Sequence, residues 1–344
     1  MAGAVALLST AACDMPTAAP IVEQRWVVPG ETSRIAVATL LPSGVSILPD
    51  SSGFTLSAAM ATVARPLSAD CALCVSGNGL TGPKPALLVN ASMSSVLASD
   101  ISSATLTGGS LAFSVTNNYN FDPLRPNGNA APYGSAVITV SNGLTVLGTM
   151  TLDGSAHALA ANGGKLDVNI PLLGGISGST PVSVSIAVNS PEGAPVLMDA
   201  SRTISASAIP QNLKVANALV SVAGRTLSSS SDIDFSDVGD GIADRTQKGA
   251  LLLAIENPFA VTSALTVKLQ PQGGDLIVKS VPLGTGNTTQ TIEFTKDELK
   301  KLFGHNVHVT ISGLANSASG PVSVTPRQAV VVKTRFDLTL SVGG

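Results

Sequence analysis

The chain has 344 residues, a net charge of −3, and 44% hydrophobic residues, but only 12% charged and 3% aromatic ones. This length suits two or three domains with real cores, and singly scattered Lys and Arg without interleaved aromatics give no footprint for nucleic acid. Eight Phe, two Tyr and one Trp cannot furnish the aromatic girdles of an outer-membrane barrel, and no apolar run reaches the roughly 18 residues of a spanning helix.

Residues 1–13 read MAGAVALLSTAAC. An apolar run (Ala2 to Leu8), small residues (Ser9 to Ala12) and then Cys13 resemble the end of a bacterial lipoprotein signal peptide. That resemblance implies cleavage before Cys13, lipidation of Cys13 and a place in the cell envelope. Met15 to Pro20 then reads as a Pro/Ala/Thr tether without periodicity. Strand candidates follow at Ile21 to Val28, which holds Trp26, at Arg34 to Leu41 and at Gly53 to Val63. With few large apolar residues of their own, they are expected to add to the next module rather than fold alone. Together, residues 14–95 form a tether and N-terminal β extension.

Cys71 and Cys74 lie in a Gly/Pro-rich loop, Pro66 to Pro85. In an exported chain the simplest reading is a local disulfide. Free thiols, or a zinc site with the H-x-x-H pair His305 and His308, are the alternatives.

Residues 96–208 read as a first β module. Its strands are punctuated by Thr107-Gly108-Gly109, Asn142-Gly143, Asp153-Gly154, Asn162-Gly163-Gly164 and Glu192-Gly193, the dipeptide types that favour hairpins. VSVSIAV (Val182 to Val188) alternates strictly, as a half-buried strand does. The long loop Tyr119 to Tyr133 carries Tyr119, Phe121, Arg125 and Tyr133, residue types enriched at interface anchors. The alternative is that Phe121 and Leu124 simply tuck into the core.

Residues 209–344 repeat the pattern. LAFSVTNNYNF (Leu111 to Phe121) aligns with LLLAIENPFAV (Leu251 to Val261), KLDVNIPL with QTIEFTK, and VSVSIAV with VHVTISG, which indicates tandem domains. One helix is expected, from the capping box Thr295 to Glu298 with a staple of Phe294 and Leu299 and a stop at Gly304. In SDVGDGIADR, Asp237, Asp240 and Asp244 with Gly241 match half of a calcium loop. Ser236 and Val238 occupy the first and third ligand positions, so a polar Asp/Gly turn before the strand at Ala250 is the favoured reading.

The expected fold is all-β: two tandem Ig-like antiparallel sandwiches, an N-terminal β extension and one short helix. The hydrophobic strand ending in Asn257-Pro258, followed by one beginning SALTV, is similar to late-embryogenesis-abundant (water-stress) β-sandwiches, although Asn118 stands where module one would have the Pro. The resemblance implies binding or protective modules without catalytic residues. No G-x-S-x-G elbow, phosphate-binding glycine loop or nucleophile–base constellation is present, so no enzyme and no cofactor are expected. The functional expectation is a scaffold or accessory subunit, lipid-anchored on the periplasmic face of a bacterial membrane. Its protein partner would be a respiratory, photosynthetic or transport complex. Cell-surface adhesion or glycan binding is the alternative, and a hydrolase with an unrecognised site comes third.

Overall fold

The computed structural model describes residues 21–97 and 100–342; Cys13 and the tether lie outside them. The chain enters through β1 (Val22–Ala36) and forms a small hairpin, β2 (Val45–Ile47) and β3 (Phe54–Leu56). There follow β4 (Ala61–Pro66), the one-turn helix α1 (Ala72–Ser76), β5 (Thr81–Lys84), β6 (Leu87–Ser95) and the long β7 (Ile101–Asn117). Next come β8 (Ser135–Asn142), β9 (Thr145–Asp153), β10 (Gly164–Pro171), β11 (Gly174–Ser177), β12 (Val182–Ser190), β13 (Gly193–Leu197) and the long β14 (Thr203–Val220). The second half holds β15 (Arg225–Asp234), α2 (Asp240–Arg245), β16 (Thr246–Asn257), β17 (Val261–Pro271), β18 (Ile277–Leu283), β19 (Gly286–Phe294), α3 (Lys296–Leu302), β20 (Asn306–Ser317), β21 (Val322–Val324) and β22 (Ala329–Val342).

The fold is all-β, and every strand pair is antiparallel. In the first sandwich, β10-β7-β14-β4 faces β6-β12-β8-β9; in the second, β19-β16-β22-β1 faces β15-β20-β17-β18. Position for position these are the same layout, so the duplication read from the sequence is a duplication of topology. Alternation produces the two-faced strands: in β12, Val182, Val184, Ile186 and Val188 are buried and Ser185 and Ala187 are exposed.

The pairing divides the chain differently from the sequence boundaries. β4 and β6 belong to the first sandwich, which therefore starts well before residue 96. The N-terminal strand does not join that sandwich. β1 pairs with β22, bringing Arg25 against Asp337, 312 residues away. The reason is that β22 ends the second sheet and needs an edge partner, the place β4 fills beside β14. No local sequence signal carries so distant a pairing.

The halves are joined through β14. Its middle pairs with β3 and its last residues with β21 of the second half. The start of β7 lies beside the end of β14, at the junction, whereas Asn117 lies beside Ile204 at the far end. In the second sandwich the ends of β1 and β22 at Ala36 and Ala329 face the junction, and Val22 and Val342 lie at the opposite end. Both described chain ends therefore sit at one end of the molecule. The loops after β7 form a tip at the other.

Each sandwich also contains the same buried asparagine. Asn117 Oδ1 accepts from Tyr119 N (2.9 Å), while its Nδ2 donates to the carbonyls of Phe121 (2.8 Å), Leu159 (2.9 Å) and Ala160 (3.2 Å). Asn257 Oδ1 accepts from Phe259 N (3.1 Å), and its Nδ2 donates to Val261 (3.0 Å) and Gly284 (2.8 Å). One amide thus closes the turn after the central strand and ties it to a neighbouring loop. The aromatic two residues on, Tyr119 or Phe259, is then driven into the core. The Asn-Pro-Phe stretch that resembles the water-stress sandwiches owes its effect here to the Asn, which both copies have, and not to the Pro, which only one has.

The expected helix is α3. Glu298 N donates to Thr295 Oγ1 (3.3 Å) and Thr295 N to Glu298 Oε2 (2.8 Å), the reciprocal capping box. Gly304 follows at φ 77°. Leu299 and Leu302 are buried. The seat is Gly249 of β16, where a Cβ would stand 2.5 Å from Leu299 Cδ2.

Candidate functional site

The chemistry-bearing residues gather at the tip of the first sandwich. Cys71 and Cys74 are joined by a disulfide across α1. With both sulfurs bonded to each other, neither serves a zinc site with His305 and His308. His308 Nδ1 lies 2.8 Å from Asp232 Oδ1 instead. The disulfide holds α1 so that Cys74 is buried while Leu73 and Val75 point outward. Leu73 is 70% exposed and Leu80, just after the helix, 65%. Leu197, opposite Thr81 in the β5–β13 ribbon, is also exposed.

Beneath this surface lies Lys84, fully buried at the end of β5. Its Nζ donates to Ser190 Oγ (2.6 Å), the Ser190 carbonyl (3.2 Å) and the Pro191 carbonyl (2.6 Å), and sits 5.3 Å from the centre of the Phe121 ring. All three ammonium protons are used, and the ring face adds a cation–π contact. Burial pushes the amine down to about 8, against the opposing pull of Glu192. A Lys within reach of a Ser hydroxyl resembles a nucleophile–base pair in outline. Here the amine is a saturated donor and Ser190 is fully buried, so the pair works as a pin between β5 and the end of β12. Sequence reasoning missed it. A single Lys in Gly-Pro-Lys-Pro gives no sign that it points inward.

The first part of the loop Tyr119 to Tyr133 packs inward, as the alternative reading has it for Phe121 and Leu124, whereas residues 128–133 are exposed. Tyr119 is fully buried and Phe121 nearly so, their ring centres 5.4 Å apart, and Leu124 joins them in the core. Burial raises the Tyr119 phenol above its usual range. Arg125 faces inward as well. Its Nε donates to the carbonyls of Gly154 (2.7 Å) and His157 (3.0 Å), and Nη2 to Ser155 (3.2 Å). Asp122 receives the amides of Leu124 (2.8 Å), Arg125 (3.1 Å) and Leu159 (2.9 Å). Arginine and aspartate thus satisfy loop amides and carbonyls that burial would otherwise leave unpaired. Of the four residues, Tyr133 is exposed and Arg125 partly so; the Tyr133 hydroxyl donates to the Asn129 carbonyl (2.7 Å) and Arg125 Nη1 to Asn129 Oδ1 (3.1 Å). Behind the loop, an apolar cavity of about 30 Å³ lies between the sheets, lined by Val89, Phe113, Leu124, Ile138 and Leu166 among others.

The half calcium loop is helical. Asp240 opens α2, Asp244 lies within it, and Asp237 precedes it in an exposed turn beside the buried Val238. Asp244 faces α3, where Lys300 Nζ lies 2.9 Å from its carboxylate and lowers its pKa, with Lys296 assisting. Lys296 Nζ also donates to the Asp244 carbonyl (2.8 Å). Asp244 therefore ties α2 to α3. Among the described residues, no group of three or more His, Cys, Asp and Glu side chains is placed to hold a metal ion.

The sequence matches no protein-family model and no curated protein. Among solved structures, a weak match is a candidate secreted protein of Parabacteroides distasonis. It has 9% identity and a TM-score of 0.36, with 92% of this chain and 99% of that one covered.

Proposed function

We propose that the protein is a non-catalytic scaffold of the bacterial cell envelope. It would be held at the periplasmic face of a membrane through lipidated Cys13 and serve as an accessory subunit of a larger membrane complex. The observation that carries this reading is the tip: a disulfide-locked turn presents Leu73, Val75, Leu80 and Leu197 at the end farthest from Val22, the first strand residue after the tether. Exposed apolar side chains on a disulfide-braced surface suit a protein contact. The Cys71–Cys74 bond supports export, because disulfides persist in oxidising compartments. The junction through β14 supports a spacer role, since it holds the two sandwiches end to end. The test is affinity capture from native membranes with the full chain as bait. The reading expects recovery of an integral membrane protein, lost in the Leu73→Ser/Leu80→Ser variant. Recovery of the bait alone would sink it.

A further inference from the structure

The two halves of β1 differ. From Ser33 onward the strand lies against β15: Ser33 and Ile35 are buried, and Ser33 Oγ reaches the Ser230 carbonyl at 3.5 Å. From Val22 to Val27 it is bonded along one edge to β22, and both of its faces are open, while Val28 packs against the core. Trp26, the chain's only tryptophan, is 41% exposed, Val27 is 53% exposed, and Val22 is exposed too. Gln24, Trp26 and Val28 stand opposite Leu340, Leu338 and Phe336, which are core residues. This half of β1 therefore carries the core face of the second sandwich past the point where the opposite sheet stops. Among the described residues no strand occupies its outer edge. An open edge with apolar residues on both faces is a template for pairing, and natural proteins normally blunt it. Here the first interruption is at Pro29, where the register with β22 shifts.

The charges on this edge select the occupant. Glu23 and Arg25 lie on the same face, two residues apart and opposite in sign. Arg25 already reaches Asp337, while Glu23 has no hydrogen bond or ion pair among the described residues. Let two copies of the segment run antiparallel about Gln24. Glu23 of each then faces Arg25 of the other, and Trp26 of each faces Val22 of the other. A register centred on Glu23 sets two glutamates opposite one another, and one centred on Arg25 sets two arginines. Directly opposed like charges destabilise a strand pair, whereas opposite charges and aromatic–β-branched pairs favour it.

We propose that Val22–Trp26 pairs with the same segment of a second copy, making a two-fold dimer in which the β19-β16-β22-β1 sheets of two chains run on as one. The contact is self-complementary, so each favourable pair occurs twice. Trp26 gains cover on the core face, and on the other face Asp337, Arg25 and Glu23 of the second copy form a row of alternating charge. The dimer carries its two tethers near the middle and its two disulfide-locked tips at the ends. The inference does not depend on lipidation of Cys13.

Sedimentation velocity on the full chain over a range of concentrations tests it, with a monomer–dimer equilibrium as the expected result. Glu23→Arg places arginines opposite one another at two symmetric points and should weaken dimerisation by about tenfold, while Glu23→Arg/Arg25→Glu should restore it. Circular dichroism melts of each variant separate this effect from loss of folding. The register is read by cross-linking in a Cys13→Ala background. Gln24→Cys brings two thiols directly opposite one another, within disulfide reach, whereas Val27→Cys does not. The proposal is overturned by one-chain mass at every concentration, by a dimer indifferent to Glu23→Arg, or by equal cross-linking through positions 24 and 27.

Discussion

Between pH 8 and 9.5 the protein should become more stable, and Lys84 should be the cause. In the folded chain the buried amine ionises at about 8, against 10.5 for an ordinary lysine. Below pH 8 both folded and unfolded chains hold the proton, and stability does not change with pH through this group. Above it the folded chain releases the proton while the unfolded chain still holds it. The unfolded state then binds more protons, so stability rises with pH, by at most about 1.4 kcal/mol per pH unit. The stretch from 8 to 9.5 corresponds to at most about 2 kcal/mol, and the full span from 8 to 10.5 to about 3 kcal/mol. Tyr119 acts in the opposite sense, since its raised phenol keeps the proton longer in the folded state, but that effect begins only near 10. Urea unfolding at fixed steps from pH 7 to 9.5 would show the slope. Lys84→Met keeps the length of the side chain and removes the charge. It leaves Ser190 Oγ and two carbonyls without their donor, yet the pH slope should vanish. A slope of equal size in Lys84→Met, or none in the natural protein, would refute the placement of this amine in the interior.

Other outcomes follow from the same contacts. Asn117→Leu and Asn257→Leu should each cost about 2–4 kcal/mol in urea unfolding, because one buried amide serves several backbone groups at each site; a loss under about 1 kcal/mol at both would contradict the clip. Cys71→Ser/Cys74→Ser opens a four-residue loop worth about 2 kcal/mol of chain entropy, and hydrogen exchange should rise in α1 and β5 while β16 and β22 stay protected. Intact mass of protein extracted from native membranes should correspond to residues 13–344 plus lipid, and an unmodified Met1 would remove the anchor.

What the sequence made legible was periodic or local. The alternation in VSVSIAV became β12, and the spacing Thr295–Glu298–Gly304 became a capped helix with its stop. The aligned strands of the two halves became equivalent strands of two sandwiches, because alternation and order survive duplication even where residues do not. What stayed hidden was long-range or required knowing which way a side chain points. The β1–β22 pairing joins the two ends of the chain. Arg125 and Tyr119 have the composition of an interface, yet the carbonyls of residues 154–157 and the core take them inward. Asp153-Gly154 looks like a hairpin dipeptide. In the fold Asp153 Oδ1 instead accepts from Ser155 N at 2.7 Å, and Gly154 lets the chain pass against the Leu124 carbonyl, where a Cβ would clash. At the tip, the Cys pair could be read from spacing, but the apolar surface that it braces could not.

The most direct test of the scaffold account is the size of the native particle after mild solubilisation of the membranes in which the protein resides. The account predicts that the chain travels with a stoichiometric membrane protein in one large assembly. A monodisperse particle containing only one or two copies of this chain would contradict it.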